Sequence, residues 1–63
     1  MRIDRVKMIT AMARMDINGK QLAEKTGVSR VTITAVKGGK SCSKGTAEKL
    51  AAVLGQDIIR KED

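Results

Sequence analysis

Apolar residues recur along the chain at helical spacing, in runs separated by glycines and short polar stretches. Asp4 is placed to cap a first helix running to about Met15. In it Met8, Ala11, Met12 and Met15 form one apolar row, and Val6, Ile9 and Ala13 form another. One row suffices to face a core, so the expectation is a helix buried on a broad front, with a row meeting a second subunit as the alternative. Asn18 followed by Gln21 is a capping-box pattern, Leu22 and Ala23 give a short second helix its inward face, and Gly27 ends it just beyond Lys25. Ser29 caps a third helix from Arg30 to Lys37, in which Ile33 and Val36 turn inward over Val28 while Arg30, Val31, Thr34 and Lys37 point elsewhere. Gly38 and Gly39 close it. The cleanest period is Ala47, Leu50, Ala51 and Leu54, capped by Ser43 or Thr46 and stopped by Gly55. A further turn over residues 57–60 would lay Ile58 and Ile59 against the domain or a partner, and Lys61, Glu62 and Asp63 should fray.

These elements predict an all-α fold of four to five helices. The length of 63 residues accommodates one small domain, and a chain this short hides only about 60% of its unfolded surface. With no Phe, Trp, Tyr, His or Pro, the core falls to Ile, Val, Leu, Met and Ala. A lone cysteine, Cys42, excludes an internal disulfide, and without histidine it excludes a structural zinc site, so no metal or cofactor is expected. The seven acids are scattered and there is no histidine to work with them, which argues against an enzyme. The N-terminal residues are charged and the longest apolar run is residues 50–54, so neither a signal peptide nor a membrane span is read, and a soluble cytoplasmic protein is expected.

Charge narrows the partner. Thirteen Lys and Arg against seven Asp and Glu leave a net charge of +6, with a pI near 10.0, and a polyanion is the first partner to consider. From Lys25 through Ala47 there is no acid, but there are Lys25, Arg30, Lys37, Lys40 and Lys44. Overlapping it, residues 19–38 hold a small residue, Ala23, then a turn glycine four residues later, Gly27, then Ile33 and Val36 six and nine beyond that. This spacing lets two helices cross closely through a short turn. Residues 18–39, with Lys40 and the later Leu50-Ala51 and Leu54-Gly55, resemble the lambda-repressor-like, Cro-and-repressor type helix-turn-helix family, over roughly residues 5–59.

The resemblance implies a compact domain whose helix-turn-helix, about 18–38, sets its third helix in the major groove of double-stranded DNA. Carried over by position, the base readers fall on Arg30, Val31 and Thr34, with Ala35 at the edge. Arg30 has the fork to pair with guanine, Val31 offers methyls to thymine, and Thr34 can do either kind of contact. Asn18, Ser29, Thr32, Lys37, Lys40 and Lys44 suit phosphate, with a purely structural role equally open for Thr32. Two departures from the family pattern stand out. Gly19 occupies a position where many members have a glutamine that clamps the backbone. Met12 and Lys37 stand where many have an arginine and a glutamate paired between helices, which reads as methionine packing with Lys37 released toward phosphate. The function expected is that of a small repressor acting by operator occlusion. An architectural or excision-assisting DNA-binding factor and an antitoxin-like protein-interaction module are the alternatives. A homodimer, where one forms, would use helix 1 or Ile58/Ile59.

Overall fold

The computed structural model describes residues 2–60, so residues 61–63, where fraying was expected, lie outside it. Four α-helices and one 3-10 turn follow in order: α1 (Arg5–Met15), α2 (Gly19–Thr26), α3 (Arg30–Lys37), α4 (Lys44–Leu54) and a turn over Gln56–Ile58. Each α-helix begins where a side chain satisfies N–H groups that a helix start leaves unbonded. Asp4 Oδ1 accepts from the N–H of Val6 and Lys7 at 3.0 and 3.1 Å. Asn18 and Gln21 form a reciprocal capping box, at 2.8 and 2.9 Å. Ser29 caps α3, and Ser43 rather than Thr46 caps α4.

α2 packs on both α3 and α4, and α1 closes over α3, α4 and the 3-10 turn. Met8, Leu22, Ile33, Val36, Leu50 and Ile58 are the largest fully buried side chains, one or more from every element. Among the described residues no polar or charged side chain is buried. The aliphatic and methionine core therefore carries no internal polar group that needs a partner.

Two expectations require correction. The first helix is not buried on a broad front: Met8 and Met12 enter the core and Ala11 is half-buried, but Met15, Val6, Ile9 and Ala13 face solvent. A helix lying on a core covers one stripe, and the core of so small a chain is already filled by the Met8–Met12 side. The chain end also differs. The 3-10 turn stops at Ile58, and Ile59 is extended, bridging antiparallel to Ile3. The Asp4 N–H donates to the Ile58 carbonyl at 2.7 Å and the Arg60 N–H donates to the Arg2 carbonyl at 2.9 Å. Ile58 is fully buried in its own chain, and Ile59 packs against that core, so Ile58 is not available to a second subunit.

Candidate nucleic-acid interface

The turn between α2 and α3 is held by backbone conformation and one hydroxyl. Gly27 ends α2 with a φ of 77°, a left-handed conformation that a Cβ disfavours. Thr26 Oγ1 donates to the Leu22 carbonyl at 2.8 Å and accepts from the Val28 N–H at 3.2 Å, stitching the last turn of α2 to the residue beyond Gly27. Val28, Ile33 and Val36 then anchor α3 to the core, and half-buried Ala23 packs against the same cluster. Thr26 escaped the sequence reading. Its only signal is a hydroxyl placed directly before a turn glycine.

With Ile33 and Val36 inward, the opposite side of α3 is fixed by the helical period. Arg30, Val31 and Thr34 are exposed and together line a shallow hollow of about 350 Å³. Val31 is 81% exposed, the most open large apolar side chain among the described residues. Ala35 is half-buried and does not line that hollow, and its carbonyl accepts from the Gly38 and Lys40 N–H groups at the end of α3.

The residues expected at phosphate divide by how much of their bonding capacity is already used. Asn18 is exposed, but its Oδ1 is committed to the Gln21 N–H, which leaves its amide nitrogen for an outside acceptor. Ser29 and Thr32 work as a pair. Ser29 Oγ accepts from the Thr32 N–H at 3.2 Å and donates to Thr32 Oγ1 at 2.9 Å. Each hydroxyl carries one proton, so one of the two remains for an outward acceptor, beside the first N–H groups of α3. Thr32 is half-buried, and its structural role in the cap and an outward hydrogen bond are compatible. The same Ser-x-x-Thr arrangement recurs at the start of α4, where Ser43 Oγ donates to Thr46 Oγ1 at 3.0 Å, with Lys44 exposed between them. Lys40 is exposed in the loop between α3 and α4. Lys37 is half-buried in the last turn of α3, where a cation suits the helix carbonyl end, and Met12 is 5% exposed within the core. A methionine fills that core position with no charge to desolvate.

The structure thus brings Arg30, Val31 and Thr34 together at one open hollow of α3, and leaves Asn18, Ser29, Lys40 and Lys44 exposed at helix starts and in the α3–α4 loop. Among the described residues no cluster of acids and cysteine forms a metal site, and no helix is long and apolar enough to cross a membrane. Neither the curated proteins nor the solved structures compared with the chain match it. The family model for the Cro/C1-type HTH DNA-binding domain matches residues 7–58, from within α1 through α4 and including the turn between α2 and α3, and the chain belongs to that family.

Proposed function

We propose that this chain is a small, non-catalytic, cytoplasmic regulator of transcription that recognises a specific DNA operator and represses by occluding polymerase. Its recognition surface is the outward side of α3. Arg30, Val31, Thr34 and marginally Ala35 meet base edges, while Asn18, Ser29, Thr32, Lys37, Lys40 and Lys44 meet phosphates. The observation that carries this reading is the grouping of Arg30, Val31 and Thr34 at one open hollow, with Val31 81% exposed. An aliphatic side chain held that far out of a core gains by covering a thymine methyl, and its neighbour Arg30 gains by a bidentate pair with guanine.

Two copies on a palindromic operator would sit about one helical turn apart, roughly 34 Å.

The experiment is selection of bound duplexes from a random pool at near-physiological salt, followed by sequencing. A two-half-site motif with a G at the Arg30 position is the expected result. Binding without enrichment would replace this reading with an architectural factor, and no binding would replace it with a protein-interaction module.

A further inference from the structure

Among the described residues, three of the four large apolar side chains left in solvent lie on α1: Val6 at 68% exposed, Ile9 at 44% and Met15 at 43%. The fourth is Val31, on the surface of α3 already described. Val6, Ile9 and exposed Ala13 follow one another at i, i+3 and i+7, on a stripe turned away from buried Met8 and Met12. At one end Val6 lines a hollow of about 240 Å³ together with Arg2, Arg5, Gly39 and Arg60. The bridge of Ile3 with Ile59 is what brings Arg2 and Arg60, from opposite ends of the described chain, to that one place. The helix itself carries Arg5, Lys7 and Arg14 and no acid. Among the described residues the acid lining the hollow is Asp4, already engaged by the N–H groups of Val6 and Lys7. The outer side of α1 is therefore an apolar ridge in a cationic frame.

That combination selects its occupant. A phosphate backbone would satisfy the arginines but offers Val6 and Ile9 nothing apolar to cover them. A second copy would match ridge to ridge, but a two-fold pairing would also set two all-basic helices against each other. We propose that the outer side of α1 docks a segment of a second, acidic protein, with apolar side chains at helical spacing over Val6, Ile9 and Ala13. Asp or Glu beside them would enter the hollow at Arg5 and Arg60. Aliphatic burial gives this contact its affinity, and the arginines set its orientation and exclude basic partners. It does not depend on what α3 reads.

The probe is a synthetic amphipathic helical peptide with leucines at i, i+3, i+4 and i+7 flanked by glutamates, compared with one flanked by lysines, titrated into isotope-labelled protein. The glutamate peptide should shift the amides of Val6, Ile9 and Ala13, and the lysine peptide should leave them in place. Val6→Asn and Arg60→Gln each alter an exposed side chain, so melting should be unchanged while affinity for the glutamate peptide falls about tenfold. A response indifferent to the sign of the flanking charges overturns the proposal. So does a concentration-dependent dimer that Val6→Asn abolishes, which makes a second copy the occupant. A DNA duplex that moves these amides when the glutamate peptide does not would assign the ridge to DNA.

Discussion

Arg30 and Lys40 are both exposed cations, yet they stand in different surroundings. Arg30 is in the first turn of α3 beside Val31 and Thr34, where a planar fork can be held against one base edge. Lys40 is in the loop after Gly39, a flexible point charge that any phosphate can satisfy. Replacing each with alanine should separate the two kinds of contact. Arg30→Ala should lose about 1–3 kcal/mol on the selected site and little on random duplex, relaxing base choice at one position. Lys40→Ala should weaken both alike and reduce the salt slope by about 1. Titrations on both duplexes over a range of salt concentrations decide it. Equal losses for Arg30→Ala on the two would remove Arg30 from base reading.

At the scale of elements, α2 has a glycine at each end, and the two have opposite reasons to be there. A Cβ at either Gly19 or Gly27 would meet nothing within 4 Å, so space does not distinguish them. Backbone does. Gly27 has a φ of 77°, whereas Gly19 begins the helix without a positive φ. Gly19→Ala should therefore stabilise the fold by about 0.4–1 kcal/mol, by restricting the unfolded chain, and Gly27→Ala should destabilise it by somewhat more. Chemical denaturation of the two variants checks the signs. A destabilised Gly19→Ala would mean that the start of α2 has a demand on its backbone that its geometry does not display. The capping residues Asp4, Asn18, Ser29 and Ser43 were legible in sequence because a cap acts over two or three residues, and so the helices fall where the pattern sets them. The outward side of α3 was legible for the same local reason, once Ile33 and Val36 fixed the inward one. What sequence could not decide was which row of α1 is buried, since Met8–Met12 and Val6–Ile9–Ala13 are both apolar. It also missed the pairing of Ile3 with Ile59, and with it the meeting of Arg2 and Arg60, because no periodicity connects residues that far apart.

That long-range pairing matters most for the whole molecule. A chain of 63 residues at roughly 0.05–0.15 kcal/mol per residue has a stability of about 3–9 kcal/mol. Ile58 is fully buried, and its carbonyl takes the Asp4 N–H at the start of α1. Ile58→Ala opens a cavity where the 3-10 turn, α1 and α4 meet, at a cost of about 2–5 kcal/mol, a large part of the total. The variant should thus melt far below the parent and appear defective on DNA, although a buried side chain cannot touch a duplex. Linkage distinguishes the two causes. A ligand that binds only the folded chain restores it by mass action, about 2.7 kcal/mol at a hundredfold excess over Kd. Raising the concentration of selected duplex, or lowering the temperature, should therefore return Ile58→Ala to a parent-like helical signal and nearly full occupancy. Arg30→Ala, folded throughout, should show the parent's melt in the absence of DNA and keep its loss of preference at every temperature. A failure of saturating duplex to rescue Ile58→Ala would mean that the last turn shapes the DNA-binding surface itself, not only the stability of the domain that presents it.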